Sequence, residues 1–172
     1  MSDFETDLML RTKNGDRAAF EELYSLYQKP LLNYLYRICW NRALAEDLLQ
    51  ETFLRLWRAA PGYQPVAKVS TYLFRIAHNL SLNEAARHGG KTWKGVEKEA
   101  TQEDFDRQEV DNAVRKAVET LPPGERACLM LSEYSGFKYS EIAEILEIPV
   151  GTVKSRMFNA VQRLKETLKD LR

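Results

Sequence analysis

Apolar residues recur at three- and four-residue spacing along almost the whole chain, and no run alternates as a strand does. That periodicity admits helices and little else, so the fold class is all-α. Punctuation then divides the helices. A first helix over Asp7–Lys13 is stopped by Asn14-Gly15, and Asp16 caps a second with Phe20, Leu23, Tyr24 and Tyr27 on one face. Pro30, lacking an N–H and clashing with the preceding turn, is expected to break that helix. A new one follows over Leu31–Trp40, with Leu31, Leu35, Ile38 and Cys39 inward. Asn41 caps Arg42–Ala60, which ends at Pro61-Gly62. Residues 61–68 form a loop. Ser70 or a neighbour opens a helix over Thr71–Arg87, with Leu73, Ile76, Ala77 and Leu80 inward and Gly89-Gly90 at its end.

The pattern lapses once. Residues 89–106 are glycine-containing, charged and nearly free of aliphatic side chains, which is linker composition. Helical spacing resumes at Arg107 and runs to Thr120. A Pro122-Pro123 corner follows, then a helix over Glu125–Tyr134 and two more. The chain thus reads as two small helical domains, 1–88 and 107–172, joined by a flexible linker over 89–106.

The segment from Lys138 to Leu168 has the layout of a helix-turn-helix. Ser140 caps a short helix over Glu141–Leu146, Glu147-Ile148-Pro149 turns, and a second helix runs over Gly151–Leu168. Ile142, Ala143, Leu146, Ile148, Val153 and Met157 form a small shared core. Ala160, Val161, Leu164 and Leu168 extend its inward side. The outer side carries Thr152, Lys154, Ser155, Arg156, Asn159 and Arg163. Arginines on such a helix suit guanine edges or backbone, and hydroxyls suit phosphates.

Two further stripes stand out. Asp47, Gln50, Glu51, Leu54 and Arg58 share one helix face opposite Leu49, Phe53 and Leu56. It is either solvated surface or a protein-docking face with Leu54 as its apolar anchor. After the proline loop, Tyr72, Arg75, Asn79, Asn83 and Arg87 form a stripe that Lys91, Trp93 and Lys94 continue. Aromatics among Arg, Lys and Asn suit single-stranded DNA, whose bases stack while its phosphates are neutralised.

The formal charge is zero, with 25 basic and 25 acidic residues among 172, which alone weighs against a nucleic-acid binder. The distribution reverses that inference. Residues 61–96 carry +4 and 150–172 carry +4, with an acidic stretch between. Screening confines each island's field to about 8–10 Å at physiological salt, so each attracts polyanions on its own. Other classes fall away. No apolar run approaches the roughly 18 residues a membrane helix needs, and Asp3, Glu5 and Asp7 are wrong for a secretory signal, so membrane insertion is not expected and a cytoplasmic site is. Cys39 and Cys128, with His78 and His88, match no familiar metal spacing and read as small buried side chains. GxSxG, P-loop, GxGxxG and HExxH patterns are absent, so neither an enzyme nor a cofactor is expected.

Taken together, AEDLLQETFLRLWRA (45–59), STYLFRIAHNLSLNEAAR (70–87) and LPPGERACLMLSEYSGFKYSEIAEILEIPVGTVKSRMFNA (121–160) resemble the extracytoplasmic-function sigma factors of bacterial RNA polymerase. The resemblance covers about Asp16 to Leu168 apart from the linker. It implies two helical regions, region two in 1–88 and region four in 107–172. Asp47, Gln50, Glu51 and Leu54 fall where the family binds the polymerase clamp helices. The loop Pro61–Ser70 and the stripe Tyr72, Arg75, Asn79, Asn83 and Arg87 match the part that melts the −10 element and holds an extruded base. The helix with Lys154, Ser155, Arg156 and Asn159 matches the −35 reader. Core polymerase, promoter DNA and an anti-sigma protein are the partners implied. The chain has Tyr72 where the family commonly has Trp, Asn83 for Asp and Asn159 for Arg. Asn83 removes a carboxylate, and Asn159 replaces a guanine or phosphate contact by one suited to adenine. An autonomous helix-turn-helix regulator is the rival reading; it requires tight promoter binding without polymerase.

Fully extended, residues 89–106 span roughly 60 Å, or about 17 base-pair rises, enough to bridge two promoter elements. The acidic half of this linker is expected to lie in a basic channel of the polymerase rather than on DNA. Replacing residues 97–106 by a basic sequence is therefore expected to lower transcription with core enzyme; unchanged output counts against it.

Overall fold

The computed structural model describes residues 3–88 and 108–169, so the linker and the Gly89-Gly90 stop lie outside the described residues. Those residues are mainly helical, with no strand among them. The helices are α1 (Asp3–Lys13), α2 (Arg17–Cys39), α3 (Arg42–Ala59), α4 (Val69–Arg87), α5 (Gln108–Glu119), α6 (Pro123–Leu129), α7 (Tyr139–Leu146) and α8 (Val150–Lys169). They fall into two compact units, the first holding α1–α4 together with Glu144–Glu147 at the end of α7, the second holding α5, α6, the start of α7 and α8.

In the first unit α2 is the central element and packs against α1, α3 and α4. Its start is built as the sequence predicts. Gly15 takes φ +85° while the Gly15 and Asp16 amides donate to the carbonyls of Thr12 and Arg11, the paired bonds that close a helix through a left-handed residue. Asp16 then accepts from the amides of Ala18 and Ala19, and the Arg11 guanidinium donates to the same carboxylate at 2.9–3.0 Å. Those amide bonds, with Arg11 beside them, hold the Asp16 carboxyl below its ordinary value.

Pro30 does not break the helix. α2 runs unbroken from Arg17 to Cys39. Proline deletes the bond to the Leu26 carbonyl, but Leu26 and Pro30 are both exposed, on the side of the helix where water reaches. On the opposite side Leu23, Tyr27, Leu31, Tyr34, Leu35 and Cys39 are buried in sequence without interruption. Losing one solvent-side bond costs less than breaking that stripe, each fully buried large apolar side chain contributing about 1.5–3 kcal/mol. Ile38 is only half-buried. Edge-to-face aromatic pairs join α2 to α3: Phe20 lies 5.1 Å from Trp57, and Tyr24 lies 4.8 Å from Phe53.

Asn41 caps α3 through the Leu44 amide, as expected, and a 3-10 turn over Ala60–Gly62 finishes it. α4 begins earlier than Ser70, with Lys68 at its cap position and no side chain closing the end. Ser70 instead neighbours the Tyr27 phenol of α2. Beyond the expected apolar positions, Phe74 and His78 are buried on α4, and the His78 Nδ1 meets the Tyr34 hydroxyl at 2.9 Å. Ile76 is half-buried.

In the second unit, Pro123 occupies the first turn of α6, where its missing N–H costs nothing. Arg126 is buried and donates to the carbonyls of Glu119 and Leu121, satisfying groups the end of α5 leaves open. The helix expected over Glu125–Tyr134 is two pieces, α6 and a wider π turn at Met130–Tyr134. Ser140 does not cap α7, which starts at Tyr139; Glu141, three residues into the helix, reaches back to the Lys138 amide at 3.2 Å. Glu147 makes the left-handed turn at φ +55°, and Ile148 donates to the Ala143 carbonyl. Val153, Met157 and Ala160 of α8 are buried, whereas Val161 is exposed. It sits one step, about 100°, past Ala160 and so turns off the narrow seam that faces α5 and α6.

Because α2 already pays the full penalty for an interior proline, Pro30→Ala is expected to raise stability by about 1–3 kcal/mol. A denaturant titration that shows no rise in midpoint counts against a continuous α2.

Candidate polymerase and promoter surfaces

The α3 stripe is presented as the periodicity requires. Leu48, Leu49, Thr52, Phe53 and Leu56 turn into the core, leaving Asp47, Gln50 and Leu54 exposed and Glu51 half-buried. Leu54 is 48% exposed, a large apolar side chain in a polar frame. Glu51 accepts from the Arg55 Nε at 3.2 Å, one turn on, which fixes its carboxylate on this face. Arg58 is exposed at the same spacing.

Tyr72, Arg75 and Asn79 are half-buried on α4, and Asn83 and Arg87 are exposed further along. Lys91, Trp93 and Lys94 lie outside the described residues. The Tyr72 ring packs against Tyr63 at 5.5 Å. Tyr63 is buried, and neither its hydroxyl nor the Arg75 Nε meets a hydrogen-bond partner among the described residues. Burial pushes both phenols up, with Arg75 opposing the shift at Tyr72, so both rings stay neutral and fit for stacking. Arg87 is drawn to Glu84 at 3.6 Å. The loop before α4 turns sharply, the Val66 amide donating to the Gln64 carbonyl, and leaves Val66 88% exposed at its tip. Loop and stripe together offer aromatic, cationic and amide groups beside an open edge.

On α8, Lys154, Ser155 and Asn159 are exposed, and Thr152 and Arg156 are half-buried. The Ser155 hydroxyl donates to the Gly151 carbonyl at 3.0 Å and keeps its lone pairs outward. The two arginines are less free than the periodicity suggests. Arg156 lies over the first turn of α6, so close that a Cβ at Gly124 would fall 2.8 Å from its guanidinium carbon. Its charge also acts on Cys128, whose thiol burial pushes up and Arg156 pulls back down. Arg163 lies 3.1 Å from Glu125, a residue that is otherwise buried.

Sequence reading missed Tyr63, Gly124, Glu125 and Phe158. Phe158 is 65% exposed one turn beyond Lys154, and a large ring on a polar face was a legible sign. Gly124 and Glu125 gave none, because their role depends on α6 crossing α8. Among the described residues no His, Cys, Asp and Glu are grouped to hold a metal. His88 instead meets Glu84 at 3.2 Å.

Comparison with known proteins supplies the family. Residues 23–90 match the model for Sigma-70 region 2, and residues 111–164 match Sigma-70, region 4. The chain is 32% identical to the ECF RNA polymerase sigma factor SigE of Mycolicibacterium smegmatis, over 97% of this chain and 69% of that protein. It is 31% identical to the RNA polymerase sigma factor CarQ of Myxococcus xanthus, over 95% and 97%. The fold is similar to that of CnrH, solved with the cytosolic domain of CnrY, with a TM-score of 0.80, 21% identity and coverage of 98% and 99%. It is also similar to the sigma factor RpoE of Bartonella quintana, solved with the anti-sigma factor NepR, with a TM-score of 0.75, 25% identity and coverage of 87% and 96%. With both sigma-70 regions in order on an all-α chain, this protein belongs to the extracytoplasmic-function sigma factors, the RNA polymerase subunits that bind core enzyme and direct it to promoter DNA.

Proposed function

We propose that this sigma factor works through three surfaces. Asp47, Gln50, Glu51 and Leu54 of α3 dock on the polymerase clamp helices, Leu54 supplying the desolvated centre and the carboxylates the register. The loop Pro61–Ser70 with Tyr72, Arg75, Asn79, Asn83 and Arg87 opens the −10 element and holds an extruded base. Thr152, Lys154, Ser155, Arg156, Asn159 and Arg163 of α8 read the −35 element. The domains are 1–88 and 107–172, with 89–106 as a tether, and the protein acts in the cytoplasm without chemistry of its own.

The observation that carries this reading is the loop before α4, which raises Val66 at an exposed tip and packs the buried Tyr63 ring against Tyr72 of the stripe. A loop whose only task was connection has no reason to raise an apolar side chain into water. Transcription from a candidate promoter by purified core polymerase plus this chain tests it, and failure of the wild type to bind core overturns it.

Two solved sigma folds similar to this one are complexes with an anti-sigma factor or a cytosolic partner domain. We extend that control to this chain. Capture of the full chain from its native cells is expected to recover a partner that blocks core binding in vitro; recovery of polymerase alone under every growth condition counts against it.

Charge reversal separates the surfaces. Glu51→Lys is expected to weaken core binding by tenfold or more, roughly the scale for breaking a complementary interface charge, and to leave α8 intact. Arg156→Ala is expected to cost about 1–3 kcal/mol of −35 discrimination while sparing core affinity. Binding titrations with core and with promoter DNA check both.

The Glu125 pair yields a further outcome. Glu125→Gln removes the carboxylate holding Arg163 and is expected to free it for a phosphate. Holoenzyme binding to promoter DNA then gains about one unit of salt slope. An unchanged slope indicates that Arg163 does not reach DNA.

A further inference from the structure

None of the three surfaces uses α1, yet α1 is tied to one of them at two points. Leu8, Met9 and Thr12 are buried, and the helix packs against α2, the 3-10 turn and α4. Besides the Arg11 pair with Asp16, two polar contacts lead from it to the segment Pro61–Ser70. At the entrance of that segment the Lys13 Nζ donates to the Tyr63 carbonyl at 2.8 Å, across fifty residues of chain. At its exit the buried Tyr27 phenol of α2 has Glu5 of α1 and Ser70, in the first turn of α4, as its polar neighbours, and burial together with the Glu5 carboxylate pushes it up. Because Tyr27 is buried, little water competes for these contacts.

Glu5 and Lys13 are eight residues apart, roughly 12 Å along a helix. α1 therefore holds the two ends of the loop at a set separation, as a bar between two pins. Between the pins the backbone turns at Gln64–Val66 and the tip is open. A loop that captures an unpaired base gains most from being held before the base arrives, because ordering it afterwards costs binding energy.

We propose that α1 is a brace for this loop, with Lys13 and Glu5 as positioning residues for promoter opening. The inference rests on the reading of Pro61–Ser70 as the −10 loop.

The test uses the full chain with core polymerase and measures core affinity, the rate of promoter opening by permanganate reactivity of unpaired thymines, and holoenzyme affinity for a single-stranded −10 oligonucleotide. Lys13→Ala and Glu5→Ala are each expected to slow opening and weaken oligonucleotide binding by about fivefold or more, the scale of one charge-assisted hydrogen bond. Core affinity should stay within about twofold, since both links end on the loop and neither on the α3 stripe. Lys13→Arg and Glu5→Gln keep the donor and acceptor and are expected to recover most of the loss. Recovery distinguishes positioning from general destabilisation, which the unfolding midpoints monitor alongside. Wild-type opening rates in both alanine variants overturn the proposal. So does a loss that tracks the unfolding midpoint and is not recovered by the conservative variants. A wild-type holoenzyme that binds core yet does not hold the −10 oligonucleotide overturns the −10 reading itself, and so is told apart.

Discussion

The first unit depends on the buried face of α2. Three helices pack on it, and the two helical stripes of that unit proposed as surfaces are the outward sides of helices whose inward sides touch α2 or its partners. α3 shows Leu54 because Phe53 and Leu56 are pinned inward, the former beneath the Tyr24 and Phe20 rings. α4 shows Tyr72 and Arg75 because Leu73, Phe74 and Ala77 are consumed by the core, and Tyr34 fixes His78 on the same side. The apolar stripe is thus what aims the polar ones. It also explains how a proline survives mid-helix, since a stripe this continuous outweighs one solvent-side hydrogen bond.

Much of this is legible in the sequence because it is local and periodic. Asp16 and Asn41 act as caps through amides two and three residues away, and the α3 stripe follows from the helical repeat alone. What the sequence hides is non-local. Pro30 reads as a stop by local rules and is overruled by burial on the far side of the helix. Ser70 and Ser140 look like caps, but no side chain closes the start of α4, and the start of α7 is closed by Glu141 from within. Val161 fits helical spacing yet leaves the seam by one step. The outer face of α8 is legible as a set of residues but not as a set of free charges, since Glu125 and Gly124 reach it from another helix.

The substitutions relative to common family residues fall on one half-buried and two exposed positions. Tyr72 is half-buried and stacked on Tyr63, so its smaller ring is backed by a second one. Asn83 and Asn159 are exposed, and neither replaces a group the core needs. Changes there alter the outer faces of α4 and α8 without altering what holds the helices.

The ion pair between Arg163 and Glu125 carries a consequence for search. A carboxylate held within 3.1 Å of the guanidinium acts as a tethered stand-in for phosphate. If α8 meets DNA as proposed, a strand must displace a competitor that never diffuses away, whose effective concentration is roughly millimolar or above. An arbitrary stretch of duplex offers a phosphate and little else, which is a poor trade. Only a site that engages the rest of α8 supplies the surplus needed to break the pair. In the proposed reading, then, an acidic residue behind the recognition helix acts as a threshold, keeping the protein off bulk chromosomal DNA before any base is read.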